Sequence, residues 1–278
     1  MQHEEEILHR VWETELEILD VIHKVCVEND LKYSLAFGSL IGAVRHKGFI
    51  PWDDDIDIFM PREDYEKLLS VWQKSAPSDY IIQNKDTNED FTQNFTKIRK
   101  DHTVFLQSEK ERGKEYHKGI FVDIAPCDRV AKGKILRTVQ YAACAVNLLY
   151  SRGYTSGNRG CVGFIERALL RIPKKIQSRL RQLSKQIMCL WNKNDELQYI
   201  CPDTIQNCRR YYPPELFENN MLTQFQGKKY YIIHNPDVIL RVRYGDYMQL
   251  PPEEERVWKH HPIIIDFEHN LEELSKQG

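Results

Sequence analysis

The sequence predicts an α+β protein in which helices flank a sheet and a basic helical stretch separates the early strands from the late ones. Three observations point there. Residues 3–28 place apolar side chains at steps of three and four, the period of an amphipathic helix. Residues 32–44 read as a short strand, a glycine turn and a second helix. Residues 55–60 alternate carboxylate and apolar side chains, the period of a strand.

In chain order, Ile7, Leu8, Val11, Trp12, Leu16, Leu19, Ile22, Val25 and Cys26 define the apolar stripe of the first helix, which Asn29-Asp30 ends. Lys32–Phe37 is strand-like, Gly38-Ser39 makes the turn, and Leu40, Ile41 and Val44 resume helical spacing. KGFIPW at 47–52 is a loop, since Pro51 disfavours helix just before it. After the acidic strand, Pro61 opens a helix that runs through Trp72. Tyr80–Gln83, Phe95–Arg99, Val104–Leu106 and Ile120–Ile124 are strand candidates. Residues 133–193 read as helical and basic; between Arg159 and Lys193, Lys and Arg far outnumber the one acid, Glu166. From Pro213 the chain turns strand-like again, with Leu222–Gln226 and Tyr230–Ile233 forming a hairpin around Gly227. The expected division is a core at 1–130, a helical, basic insertion or subdomain at 131–212, and a strand/helix segment at 213–278 that completes the core.

Composition narrows the partners. A chain of 278 residues with 41% apolar side chains can bury one large core, or a core with a sizeable insertion. A formal net charge of -2 gives no global basic field, which speaks against nucleic acid. The opening MQHEEEILHR lacks the apolar centre of a secretory signal. The longest apolar run, near Tyr141–Tyr150, is shorter than the about 20 residues that a bilayer span needs. The 7 scattered cysteines fit free thiols in a reducing cytoplasm. Cys201 and Cys208 lack further ligands at zinc-like spacing and read as structural thiols.

The stretch WDDDIDIFMP, residues 52–61, carries the chemistry. On a strand Asp53, Asp55 and Asp57 share one face, while Ile56, Ile58 and Met60 face the core. Gathered carboxylates repel unless protons or a cation neutralise them. Hard oxygen ligands suit magnesium, manganese or calcium over zinc. An EF-hand calcium loop fails here, because it needs glycine where Ile58 stands and usually glutamate where Asp64 stands. Gly38-Ser39, entering a helix, offers backbone N–H groups and a positive dipole end to a phosphate; an ordinary helix cap is the plainer reading. Asp123, within GIFVDIAP, is an acid among apolar strand residues and needs a partner. That partner is either the metal site, with Asp123 as ligand or general base, or an arginine such as Arg99.

The block FGSLIGAVRHKGFIPWDDDIDIFMPREDYEKLL, residues 37–69, resembles the LicD family of phosphotransferases, relatives of the fukutins. Looser similarity runs through KIR at 97–99, GIFVDIAP at 119–126 and RYGDYMQLPPEEE at 243–255, while residues 131–212 carry little signal. The resemblance implies a polymerase-beta-like nucleotidyltransferase fold, a mixed sheet flanked by helices with a helical insertion. Its pattern of Gly-Ser, Asp-h-Asp-h (h apolar) and a third strand carboxylate falls on Gly38-Ser39, Asp55-Ile56-Asp57-Ile58 and Asp123. The gap between the first two parts is longer than usual for that superfamily and normal for LicD-like proteins. The resemblance also implies transfer of a phospho-substituent from a CDP-activated donor to a glycan, with CMP leaving. Phosphocholine from CDP-choline is the usual case; other relatives handle phospho-alditols such as ribitol or glycerol phosphate.

On that basis Mg2+ (or Mn2+) is expected on Asp55, Asp57 and Asp123, which double as the catalytic residues. Gly38, Ser39, Arg45, Arg99 and Lys228 are expected to bind substrate, the arginines because their forks suit phosphate; each is also an ordinary ion-pair candidate. Tyr244-Gly245-Asp246-Tyr247 either packs over the site or is a tight turn with core aromatics. His260 and His261 are assigned no role, since adjacent side chains usually point different ways. The expected acceptor is a cell-surface glycan or its precursor: lipopolysaccharide, teichoic acid or capsule. A lipid-linked acceptor would bring the basic 159–193 region of a cytoplasmic protein to the inner membrane surface; a solvated helical face is the alternative. The rival functions are a glycosyltransferase holding a nucleotide-sugar metal on Asp55-x-Asp57, an enzyme that transfers the NMP part itself, and a nucleotide-binding scaffold without catalysis. Intact Asp55, Asp57 and Asp123 oppose the scaffold.

Overall fold

In the computed structural model, which describes residues 2–277, the chain opens with α1 (Gln2–Glu28). Val11, Leu19, Ile22, Val25 and Cys26 of its apolar stripe are wholly buried, as is Ile18 beside them, in keeping with the three–four spacing. β1 (Ser34–Leu35), α2 (Phe37–Arg45), β2 (Ile56–Pro61) and α3 (Arg62–Ser75) follow. Next come β3 (Tyr80–Gln83), β4 (Thr96–Lys100), β5 (Val104–Leu106), the short α4 (Glu109–Arg112) and β6 (Phe121–Arg129). Beyond these lie α5 (Lys134–Arg152), α6 (Gly160–Leu170), α7 (Lys174–Cys189) and β7 (Tyr199–Ile200). β8 (Met221–Phe225), β9 (Lys228–Ile232), α8 (Pro236–Tyr244), β10 (Ile264–Asp266) and α9 (Leu271–Gln277) complete the order. The architecture is α+β, helices with a mixed sheet.

Two units divide the chain. The first comprises Met1–Gln83, Thr96–Ile124 and Phe217–Gly278. Its strands run in the order β1-β2-β6-β4-β3, with β1 antiparallel to β2 and β4 antiparallel to both β3 and β6. Ile56, Ile58 and Met60 of β2 and Val122 and Ile124 of β6 are fully buried. That burial sends the intervening acids of the two neighbouring strands to the opposite face. The acidic strand begins at Ile56, so Asp53, Asp54 and Asp55 occupy the turn that leads into it. β8 and β9 form the expected hairpin, closed by Gln226 and Gly227 at φ of 48° and 77°. Positive φ at both turn residues matches the twist of the strands and favours glycine. Two elements follow the hairpin in the C-terminal segment. Residues 236–244 are helical, started by Pro236 in the first turn, and β10 pairs antiparallel with β5.

The second unit comprises Asn84–Phe95 and Ala125–Leu216. α5 packs against α7, and Val130, Ala143, Cys144, Met188, Ile200 and Cys208 form its buried cluster. Residues 84–95, expected in the N-terminal core, belong here. Asp86 pairs with Arg181 and, at 3.4 Å, with Lys185, and Asn94 Nδ2 donates to the Pro202 carbonyl at 2.7 Å. Cys201 and Cys208 are buried free thiols. On α6 only Gly163 is buried, and Val162, Phe164 and Ile165 stand exposed. Among the described residues no helix is long and apolar enough to cross a membrane.

Candidate active site

The start of α2 is fastened to β2. The Ala36 N–H donates to the Asp57 carbonyl at 2.8 Å, and the Leu40 N–H donates to the Ala36 carbonyl at 2.9 Å. Phe37 makes the sharp entry into the helix at φ 44°, an uncommon conformation for a residue with a side chain. Its ring is held edge-on to Phe59 at 4.6 Å, with the Arg243 guanidinium 4.0 Å from its centroid. Ser39 Oγ accepts the Asp57 N–H at 2.9 Å and lies 3.5 Å from the Asp55 carbonyl, so this hydroxyl ties helix to strand. The backbone N–H groups of the first turn have no partner within the helix. A Cβ on Gly38 would overlap Asp53 Oδ2. Glycine at 38 is therefore what lets a carboxylate approach this helix start.

Five aspartates and a glutamate share one electrostatic neighbourhood. Burial, then the Asp55 and Asp54 charges, pushes the Asp53 carboxyl up to about 7, against the pull of Lys259 and His260. Burial likewise raises Asp55 to about 6, with Asp123 and Asp54 adding and His260 and Lys97 opposing. Asp57 is raised well above the usual carboxylate range by burial, then by Asp55, Asp123 and Asp53. Glu15 of α1 joins them unannounced by any sequence motif: it is buried, its Oε2 has no hydrogen-bond partner, and burial plus the Asp55 charge pushes it up. Such mutual elevation means that the acids sit close enough to resist joint ionisation.

Asp123 and Lys97 stand opposite one another on β6 and β4. Lys97 Nζ meets both oxygens of Asp123, at 2.6 and 2.9 Å, and lies 3.2 Å from the Phe121 ring centroid. Burial pushes the Lys97 ammonium down while Asp123 holds it up. Lys97, rather than Arg99, is thus the ion-pair partner of Asp123. Arg99 instead donates to Gln83 Oε1 and, at 2.5 Å, to the Gly119 carbonyl; burial lowers it to about 10. Arg45 Nη1 donates to the Tyr247 carbonyl at 2.6 Å, and its Nε lies 2.9 Å from His46 Nε2. Lys228 pairs with Asp20 of α1. The contacts of Arg45, Arg99 and Lys228 are ties within the scaffold, and they lend no support to the expected substrate role of these residues.

The C-terminal segment reaches the acids as well. Asp54, fully buried, accepts from Trp258 Nε1 and, at 3.1 Å, from the His260 N–H. His260 Nδ1 lies 3.0 Å from Asp54 Oδ1 and 3.8 Å from Asp55 Oδ2. Its hydrogen bond to Asp54 raises the imidazole pKa, favouring a cation beside the cluster. His260, assigned no role from the sequence, thus stands beside the acidic turn. The two partners are 206 residues apart, and no local pattern announces the pair. Trp12 Nε1 donates to the Asp53 carbonyl at 2.7 Å and stacks on Phe49 at 4.8 Å, which fixes the acidic turn from the α1 side. Tyr244, raised by burial and by the Asp57 and Asp53 charges, lies at the edge of the cluster.

The donor set fits a hard divalent cation, because buried oxygens with raised proton affinity are what such an ion would neutralise. Among the described residues, the group of three acidic or imidazole donors already within 4.8 Å of one another is that of Asp54, Asp55 and His260. Asp55 leans toward His260 and Asp123 toward Lys97, so the expected trio of Asp55, Asp57 and Asp123 is less tightly gathered.

A family model described as the LicD/FKTN/FKRP nucleotidyltransferase domain matches residues 30–134. The chain is 32% identical over 248 residues to the lipopolysaccharide cholinephosphotransferase LicD of Haemophilus influenzae, covering 87% of this chain and 91% of that protein. The chain belongs to the LicD family. A partial similarity, 26% identity over 127 residues, links it to an uncharacterised protein of Rickettsia prowazekii, covering 39% of this chain and 48% of that one. An uncharacterised protein of Rickettsia typhi shares 44% identity over 55 residues, 19% of this chain and 18% of that one. The family match spans Gly38, the aspartate run, Lys97 and Asp123, and it stops before Trp258 and His260.

Proposed function

We propose that this LicD-family chain is a phosphotransferase that moves phosphocholine from CDP-choline to a cell-surface glycan or its precursor, on a polymerase-beta-like nucleotidyltransferase fold. The observation that carries the reading is the cluster of Asp53, Asp55, Asp57 and Asp123 at the start of α2. It occurs in a chain that is similar, over most of its length, to a lipopolysaccharide cholinephosphotransferase.

Asp55 and Asp57, with Asp123 beside them, would hold Mg2+ or Mn2+. Such an ion, when bound, supplies charge neutralisation at the donor pyrophosphate and at the departing nucleotide. The first-turn N–H groups at Gly38 and Ser39 would receive phosphate oxygens at the positive end of α2. Lys97 grips both oxygens of Asp123, which suits a fixed anchor better than a base. Asp53, with its carboxyl raised to about 7, is better matched to taking a proton near neutral pH. In the reaction the acceptor oxygen bonds to the phosphorus bearing choline, and its proton passes to that carboxylate. The bond from this phosphorus to the bridging oxygen breaks, and CMP leaves with the electron pair. His260, its pKa raised by the hydrogen bond to Asp54, would when protonated add positive charge next to Asp55.

A lipid-linked acceptor would explain the surface of α6, where exposed Val162, Phe164 and Ile165 are interleaved with exposed Arg159, Arg167 and Arg171. Such a face suits peripheral binding to an anionic bilayer. Flotation with anionic vesicles should show salt-sensitive binding; none at low salt removes this part of the reading.

The deciding experiment offers lipopolysaccharide with CDP-choline, CDP-ribitol, CDP-glycerol or a UDP-sugar, with Mg2+ or with chelator, and weighs the product. A gain of phosphocholine with release of CMP supports the proposal. A gain of CMP itself means nucleotidyl transfer, a gain of a hexose means glycosyl transfer, and a phospho-alditol moves the donor to the alditol class.

A further inference from the structure

The second unit contains a half-open cavity of about 530 Å³, within the range of small-molecule sites. Its floor is rigid. Val130, Ile200 and Cys208 belong to the buried cluster of that unit. The Gln140 amide in its wall is fully engaged: Oε1 accepts the Ala131 N–H at 2.8 Å, and Nε2 donates to the Arg129 and Met188 carbonyls at 2.8 and 2.9 Å.

The mouth carries two guanidinium groups. Arg209 lies over the Tyr141 ring at 4.4 Å, and Arg137 over the Tyr211 ring at 5.2 Å. Arg137 Nε also donates to the Ala131 carbonyl at 3.0 Å. Both arginines are exposed, and among the described residues neither meets a carboxylate within ion-pair distance. An exposed arginine without a counter-ion is common. Two of them, each steadied by a tyrosine and both lining one cavity, are a preset fork for an oxyanion. Steadying by the rings lowers the ordering cost of binding. A small inorganic anion needs neither this volume nor an aromatic and apolar lining. A sugar ring does, because its C–H faces rest on aromatic surface while its substituents reach the rim.

We infer that this cavity binds a sugar ring bearing an anionic substituent, phosphate or carboxylate. Regarding that ring as part of the glycan acceptor rests on the transferase reading; the binding itself does not. The cavity would then grip the acceptor through a charged sugar independently of the carboxylate cluster.

The test titrates the full chain with glucose 6-phosphate, glucuronate, glucose and inorganic phosphate, read by ligand-observed saturation-transfer NMR and calorimetry. Saturable binding of at least one anionic sugar is expected, with glucose and inorganic phosphate each roughly tenfold weaker or more. Arg137→Gln/Arg209→Gln should weaken that binding roughly tenfold or more while leaving the circular dichroism and melting temperature unchanged. The single Arg137→Gln variant should show part of the loss. Asp57→Asn should bind the sugar as the parent does, which separates this site from the proposed catalytic one. Absence of saturable binding, binding indifferent to both arginine variants, or inorganic phosphate binding as tightly as the anionic sugar each overturns the inference.

Discussion

At Gly38 a hydrogen stands where any other residue would drive a Cβ into the Asp53 carboxylate. The colliding atom is a side-chain oxygen that can swing away, so Gly38→Ala should fold and displace the acid. Turnover should fall on the order of 100-fold, as misplacement of a reacting group by about 1 Å can cause, with little change in melting temperature; unaltered turnover would show that Asp53 needs no such approach. The raised carboxyls make a second prediction. Asp53 and Asp55 move from 3.8 in the open chain to about 7 and about 6 in the fold. Between those values the folded state holds protons that the unfolded chain has released. Metal-free protein should therefore lose stability as pH rises from about 4 through about 7, by on the order of a few kcal/mol, with Asp57 and Glu15, also raised, adding to the fall. Denaturant midpoints across that range check the slope. Asp53→Asn should flatten it, and Mg2+ should restore stability most at the alkaline end. At this scale Asp55 and Asp57 were legible because alternation with buried apolar neighbours is a local signal. Lys97 beside Asp123, and Glu15 beneath the cluster, were not, because each partner comes from a separate element.

Elements hold these residues by a few specific ties. The Ser39 hydroxyl joins α2 to β2 through the Asp57 N–H. Ser39→Ala leaves that amide without its acceptor, at a cost of about 1–3 kcal/mol, and should lower turnover more than stability, because the same bond aligns the helix start with the acids. A turnover loss no larger than the fraction unfolded would reduce Ser39 to a stabilising tie. Asp54 tethers the 258–260 segment through Trp258 and both the backbone and the ring of His260. Asp54→Asn should cost about 1–3 kcal/mol, since it removes the charged acceptor of these hydrogen bonds. Hydrogen exchange should then quicken around residues 258–260 ahead of the sheet; uniform protection there would contradict the tether. The strand–turn–helix at 34–45 and the 226–227 hairpin turn were readable from glycine placement and periodicity. The helix at 236–244 was not, because its aromatic and β-branched residues favour strand until Pro236 and the packing of α8 on α2 decide otherwise.

For the whole molecule, the two units carry different chemistry. The first gathers the acids, Lys97 and His260; the second carries the basic, partly apolar helices and the arginine-rimmed cavity. The basic run at 159–193 marked the helical region in the sequence, but the membership of residues 84–95 was hidden. It depends on Asp86 meeting Arg181, 95 positions away, which no window of sequence contains. The helical region was also where the family resemblance faded, so its cavity had no motif to point to it. The central claim is that buried aspartates converge to receive a divalent cation beside a phosphate-binding helix start. Mn2+ binding, followed by electron paramagnetic resonance with and without CDP-choline, tests it most directly. The account predicts saturable Mn2+ uptake that CDP-choline strengthens and that Asp55→Asn and Asp57→Asn each abolish with the fold intact. Mn2+ uptake equal in the parent and both variants, or none in the parent with donor present, would contradict it.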